Sequence, residues 1–368
     1  MPPALHILTG ATGLVGSALA LELATRDDQA RLLCLVRSPE PDATAQLHAQ
    51  LRACAHAYDL PARALDAVLA RTQVQAGIDL SHPHALLLPD VPAPRAGAVH
   101  FWHSAARMYF RESERRAQFA SNTAGTRRAL TLAARMGAGD FTMISTAYVA
   151  GTSHGTVLEQ PADGTLCRNP YERSKLAAER AVLAARGKFA VRILRPSIIT
   201  GHSITRRYPG RTTGAYTAQR IINAFHRAMP AHARTQQRRV LAEPAAPLNL
   251  VPIDRVAAEA ADIALRAGSE GIYHLTDPTP PSVQDFLNAC FTNAAAPPPT
   301  CVQDTGALDD RDRILHTMLA PYTPYLTVRQ DFDRHRTDSA VPRPRAYGPS
   351  LDAPGLLQLL QPAPPATT

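Results

Sequence analysis

From Leu5 to Leu275 the chain alternates short segments of strand length, most of them mainly apolar, with longer stretches in which apolar residues recur every three or four positions. The segments have strand length, Leu32 to Val36 being apolar throughout as expected of a strand buried on both faces, and the stretches between them predict the covering helices. Leu5 to Thr9 is the first segment, followed by a helix from Leu14 to about Thr25. Leu32 to Val36 gives a second strand, and residues 42 to 71 read as two helices split at Leu60-Pro61. Thr72 to Ala76 and Ala98 to His103 are the third and fourth strands. A long helix from Ser113 to Met136 leads to a fifth strand at Phe141 to Ser145, and a helix opening at Asn169-Pro170 leads to a sixth at Val191 to Leu194. After His202 the pattern loosens into Arg-, Gly- and Pro-rich sequence with one apolar helix, Ala218 to Met229. The chain is expected to return to the sheet at Leu248 to Asp254, then form a helix to Ala267 and a strand at Ile272 to Leu275, while Ser282 is placed to cap a helix through Phe291.

Strands alternating with helices predict an α/β fold, here a Rossmann-type doubly wound parallel sheet with a smaller mixed C-terminal substrate lobe. Residues 1–201, completed by 248–276, form the expected nucleotide-binding domain, and 202–247 with 277–360 form the lobe. Residues 361–368 are Pro/Ala/Thr-rich and expected to be disordered.

Composition narrows the function. A hydrophobic content of 45% fits a globular chain, and no apolar run approaches the length of about 18 residues that a membrane span needs. The start Met1-Pro2-Pro3 has no signal-peptide pattern, so a cytoplasmic location is expected. The 5 cysteines are scattered without a C-x-x-C, and the 14 histidines without an H-E-x-x-H, which argues against disulfides and against a metal. A net charge of +8, mostly from arginine, favours an acidic partner, but no interleaving of aromatic and basic residues suggests nucleic acid.

The chemistry starts at Thr9-Gly10-Ala-Thr12-Gly13-Leu14-Val15-Gly16, where the first strand breaks into the first helix. Gly10 permits a sharp turn, Gly13 lets backbone N–H groups approach a pyrophosphate at a helix N-terminus, and Gly16 lets the helix pack close. Arg37 ends the second strand about twenty residues further on, where an NAD-preferring site carries an acid; a cation there points to the 2′-phosphate of NADPH. Asp79, beyond the third strand and before Leu80, is placed either to accept from an adenine amino group or to open a turn. Ser104-Ala105-Ala106 after the fourth strand are small enough for a cofactor to lie against the backbone. The fifth strand delivers Ser145 and Thr146 to the C-terminal edge of the sheet, where open α/β folds bind ligands. Tyr171 and Lys175 share one helix face at i, i+4, so the ammonium is expected to lower the phenol pKa towards a working range for acid/base catalysis.

Taken in order, Thr9 to Gly16, His103 to Ala106, Asn122 to Thr126, Ser145 to Tyr148, Tyr171 to Lys175, Arg195 to Gly201, Asn249 to Asp254 and Tyr273 to Thr276 resemble the motifs of the extended short-chain dehydrogenase/reductases, in the thioester-reductase and fatty-acyl-CoA-reductase ("male sterility") branch. Pro321 to Leu326 and Phe332-Asp333 are similar as well. The resemblance implies that Thr146 and Tyr171 bond the substrate oxygen, that Tyr171 donates the proton and that Lys175 holds the nicotinamide ribose. It also implies cofactor contacts from Asn122, Ser145, Pro196, Ser197 and Ile198. Gly77-Ile-Asp79-Leu80 and Gly201-His202-Ser203 depart from the branch's Gly-Asp-Leu and Gly-Asp-Ser. The implied activity is NADPH-dependent reduction of an acyl thioester, carried by coenzyme A or by an acyl or peptidyl carrier protein, to an aldehyde, with a second reduction to the alcohol left open. A ketone or sugar-nucleotide reductase or epimerase, and a non-catalytic cofactor sensor, stay open as alternatives. Arg206, Arg207, Arg211, Arg220, Arg227, Arg234, Arg238 and Arg239 crowd one insertion, so the lobe is expected to dock an acidic carrier protein.

Overall fold

The computed structural model describes residues 3–86, 98–162, 167–210, 213–341, 351 and 353–361. The tail expected to be disordered lies, beyond Gln361, outside the described residues.

The first unit runs β1 (Leu5–Thr9), α1 (Leu14–Arg26), β2 (Arg31–Leu35), α2 (Asp42–Ala57), α3 (Ala62–Ala70), β3 (Thr72–Gln75) and β4 (Val99–His103). It continues with α4 (Arg115–Phe119), α5 (Gly125–Arg135), β5 (Asp140–Ile144), the short β6 (Gly155–Val157), α6 (Pro170–Leu183) and β7 (Ala190–Pro196). Then come β8 (Ile198–Thr200), α7 (Ala215–Ala228), α8 (Ala231–Arg234), β9 (Arg239–Leu241), β10 (Leu250–Pro252), α9 (Ile253–Leu265) and β11 (Gly271–Leu275). The chain closes with α10 (Val283–Asn293), β12 (Thr300–Val302), α11 (Asp310–Leu319), α12 (Thr323–Leu326), β13 (Gln330–Phe332), α13 (His335–Ala340) and α14 (Ala353–Leu359).

Seven strands form one parallel sheet in the order β3-β2-β1-β4-β5-β7-β11. The central strands are largely buried because both faces are covered: α1, α2 and α9 bury one face, and α5 and α6 bury the other. The order reverses direction between β1 and β4, which opens a crevice at their C-terminal ends. A separate core joins α7, α10, α11 and α14 through Phe225, Phe286, Leu287 and Leu315 and forms the lobe.

Two expected elements differ. Leu248 to Asp254 does not rejoin the sheet: β10 pairs only with β8, because β11 takes the edge beside β7. The helix from Ser113 to Met136 is interrupted at Ala120–Ala124 by a π turn. Within the stretch assigned to the lobe, β13 pairs with β6 and α13 packs on α9 and β11, so the chain after Leu326 folds back on the first unit.

Candidate active site

The β1–α1 turn is built around two close approaches. Gly10 has φ +75°, and a Cβ there would lie 2.6 Å from the Ala105 N; a Cβ on Gly16 would lie 2.2 Å from the Gly10 O. Thr12 and Gly13 are exposed, Gly13 is the N-cap of α1, and the helix's first N–H groups have no partner within it. The exit from β4 is stitched to this turn, with Ser104 donating to the Thr9 O through both N (3.2 Å) and Oγ (2.9 Å).

A directional chain of hydrogen bonds runs behind it. Thr126 Oγ1 donates to the Asn122 O (2.6 Å), so it accepts from His103 Nε2 (3.0 Å), and His103 Nδ1 therefore accepts from Thr9 Oγ1 (2.8 Å). This chain needs a neutral imidazole. Burial, helped by the charge of Lys175, pushes the His103 pKa down to about 3. Asn122 stands back from the cavity: Oδ1 accepts from Arg107 N (2.8 Å), while Nδ2 donates to the Arg107 O (2.9 Å) and to Ser174 Oγ (2.9 Å). Sitting in the π turn, it ties the β4 exit to α6.

Arg37 is exposed just past β2 and makes no hydrogen bond to another described residue. Asp79 closes a turn, accepting from Ser81 N (2.9 Å) and Oγ (2.7 Å). Burial opposes its ionisation, but these bonds and His82 leave the carboxyl below its ordinary range. Leu80 is buried, and its carbonyl accepts from Arg128 (2.8 Å).

Thr146 starts the turn after β5, and Tyr171 and Lys175 come from α6, whose cap Asn169 Oδ1 accepts from Glu172 N at 3.0 Å. All three line one cavity of about 230 Å³ with Leu14, Val15, Ser104, Ala106, Ser145, Pro196, Ser197 and Ile198. Lys175 is buried and donates from Nζ to the Ile144 O at 2.6 Å; burial lowers its pKa to about 8, with Glu179 opposing. The expected lowering of the Tyr171 pKa is not found. Burial raises it and the Glu172 charge adds to the rise.

The other wall was not legible as a site. Met108, Phe110, Tyr148, Tyr208, Tyr322 and Tyr325 line it, and among the described lining residues Lys175 carries the only charge. The clustered tyrosines of Pro321 to Leu326 were the available signal. The lobe arginines do not all face this mouth. Arg207 pairs with Asp59, Arg238 is buried with Asp309 and Asp312, Arg234 binds the Met229 and Arg227 carbonyls, Arg239 binds the Ala307 carbonyl, and Arg211 lies outside the described residues. Arg220 and Arg227 are exposed on α7, and Arg220 is near enough to Tyr322 to oppose the upward push of burial on that phenol.

A nicotinamide dinucleotide fits the first wall. Ser145 Oγ is buried in it without a partner among the described residues, glycines stand where a Cβ would collide, and a helix N-terminus opens beside them. The family model described as male sterility protein matches residues 8–260. The chain belongs to that family. This male sterility family member is an oxidoreductase of the extended short-chain dehydrogenase/reductase type, with a nicotinamide cofactor. It is similar to the terminal R domain from the myxalamid PKS-NRPS biosynthetic pathway (25% identity, TM-score 0.74, 98% of this chain and 90% of that one). It also shares its fold with a thiolation-reductase di-domain from an archaeal non-ribosomal peptide synthetase (18% identity, TM-score 0.66, 98% and 74%). UDP-glucuronic acid 4-epimerase from Bacillus cereus in complex with NAD has the fold too (16% identity, TM-score 0.60, 96% of each chain). No curated protein matches the chain in sequence. No helix among the described residues is long and apolar enough to cross a membrane, and none of their His, Cys, Asp and Glu side chains group as a metal site.

Proposed function

We propose that the enzyme reduces an acyl thioester, presented by a carrier protein, to an aldehyde, with NADPH as reductant. The observation that carries this reading is the convergence of Thr146, Tyr171 and Lys175 on a cavity whose other described lining residues are uncharged and largely apolar or aromatic, suited to an apolar acyl group. Thr9 to Gly16, with Ser104 to Ala106 and Ser145, would hold the cofactor, and Arg37 would meet its 2′-phosphate. NADPH, when bound, supplies the hydride. The Thr146 and Tyr171 hydroxyls hold the carbonyl oxygen as charge develops on it, and Tyr171 gives it a proton. Its raised pKa suits that role, since the phenol enters the reaction protonated. The Lys175 ammonium stabilises the phenolate left behind, and collapse of the hemithioacetal releases the thiol and the aldehyde. The similarity to the myxalamid terminal R domain and the thiolation-reductase di-domain supports a carrier-borne donor. A sugar-nucleotide reading is less favoured, because among the described lining residues Lys175 carries the only charge, and it is already placed for the phenol.

The test is mass spectrometry of the products from carrier-bound and coenzyme-bound acyl thioesters, set beside a ketone panel. An aldehyde from the thioesters, lost on the order of 100 to 10,000-fold in Tyr171→Phe while NADPH still binds, is the expected result. Turnover of ketones alone would overturn the reading.

A further inference from the structure

We propose that Tyr325 is a positioning residue for proton donation: its ring walls the acyl cavity while its hydroxyl fixes the first turn of α6, so the lobe sets where Tyr171 stands. The proposal rests on the reductase reading above.

Tyr325 comes from α12, in the lobe, yet its hydroxyl belongs to the catalytic helix. The Oη donates to Glu172 Oε1 at 2.7 Å and accepts from Asn169 Nδ2 at 2.8 Å. Those two residues bracket Tyr171. Glu172 is completely buried, and its other donors are Arg168 N (2.7 Å) and NH1 (3.2 Å). The Arg168 guanidinium lies 4.8 Å from the centre of the Tyr325 ring and reaches on to Gln330 Oε1 (3.1 Å), while Gln330 Nε2 donates to the carbonyls of Gly151 (2.8 Å) and Ser153 (2.9 Å). Since a carboxylate only accepts, the one phenolic proton goes to Glu172 and the arrangement is directional. The first turn of α6 cannot rotate without exposing a buried charge to an unmade bond, which is costly.

The ring is equally committed. It meets Tyr148 edge-on with centroids 5.0 Å apart and Phe110 at 6.1 Å, and Phe110 in turn meets Tyr171 at 6.3 Å. Tyr325, Tyr148, Phe110 and Tyr171 all face the cavity. An acyl group seated there presses on the same side chain that holds Asn169 and Glu172, so filling the cavity and aiming the phenol are mechanically one event.

Tyr325→Phe separates ring from hydroxyl. On whichever carbonyl substrate the wild-type enzyme reduces best, the expected result is a kcat lower by on the order of 10 to 100-fold with KM and NADPH affinity within about twofold, because misplacement of a reacting group has that cost. Tyr325→Leu, which loses the ring as well, should also raise KM. Cofactor binding and a thermal melt report that each variant is folded. A Tyr325→Phe enzyme with wild-type kcat, or one impaired only in KM, would overturn the proposal. Absence of thioester turnover by the wild type would instead sink the functional reading and leave the comparison of variants intact.

Discussion

Lys175 shows how burial can tune one residue against its own chemistry. Burial lowers its pKa to about 8 although Glu179 favours the charge, and its ammonium is held by the Ile144 carbonyl. The charged form therefore dominates below that value and is lost as pH rises through it, so kcat/KM is expected to fall on the alkaline side of about 8. In Lys175→Arg, whose cation does not titrate in this range, the limb should vanish although the rate is lower. A profile that is flat through pH 8 in the wild type would contradict the assignment. Arg37 is the opposite case, exposed and without a hydrogen-bond partner among the described residues, so its charge is available to a phosphate. A charged pair of that kind contributes about 1.5 to 3 kcal/mol, or on the order of 10 to 100-fold in affinity. Titrating NADPH and NADH into wild type and Arg37→Ser should show the preference in the first and its loss in the second.

At the scale of elements, α6 is held to the sheet by more than apolar contact. Glu179 and Arg195 of β7, each about 1% exposed, form a two-bond pair with Nε to Oε1 at 3.0 Å and NH2 to Oε2 at 2.7 Å, and Arg195 also donates to the Gln160 carbonyl at 2.9 Å. Removing one partner strands a buried charge, so Glu179→Ala should cost about 3 to 5 kcal/mol in denaturant unfolding, whereas Glu179→Leu with Arg195→Met together should cost little. Equal losses in the single and double variants would mean that packing, not charge, holds the helix. The same elements show what the sequence made legible. The strands were readable because a parallel sheet covered on both faces favours short, mainly apolar segments between helical stretches, and the glycine turn because only Gly tolerates the approach seen at Gly10 and Gly16. The π turn at Asn122 was not, since it arises from a single locally accommodated residue that leaves the helical periodicity on either side intact. Nor was β10, whose sequence suits a sheet but whose place is taken by β11. The aromatic wall is assembled from segments as distant as Phe110 and Tyr325, a juxtaposition that only the tertiary fold creates.

In the whole molecule, the cavity lies between a nucleotide-binding unit and a lobe with its own core, and the lobe's charges are divided between two tasks. Arg207, Arg234, Arg238 and Arg239 serve the fold, through Asp59, helix carbonyls and the Asp309–Asp312 cap of α11. Of the described arginines in the insertion, Arg220 and Arg227 stand exposed on α7, the helix whose Ala215 and Ala218 line the cavity. An acidic carrier protein approaching that face would be steered by them, and steering depends on ionic strength, because the Debye length shrinks from about 30 Å at 0.01 M salt to about 3 Å at 1 M. With one acyl group on a carrier protein and on a short thiol, kcat/KM for the carrier should exceed that for the thiol at low salt and lose its lead at high salt. Arg220→Glu with Arg227→Glu should remove on the order of tenfold of the carrier advantage at low salt while leaving the short thiol unaffected. If both donors turn over equally and without regard to salt, the exposed arginines of α7 have no part in presenting substrate, and the lobe acts only through the apolar wall it lends to the cavity.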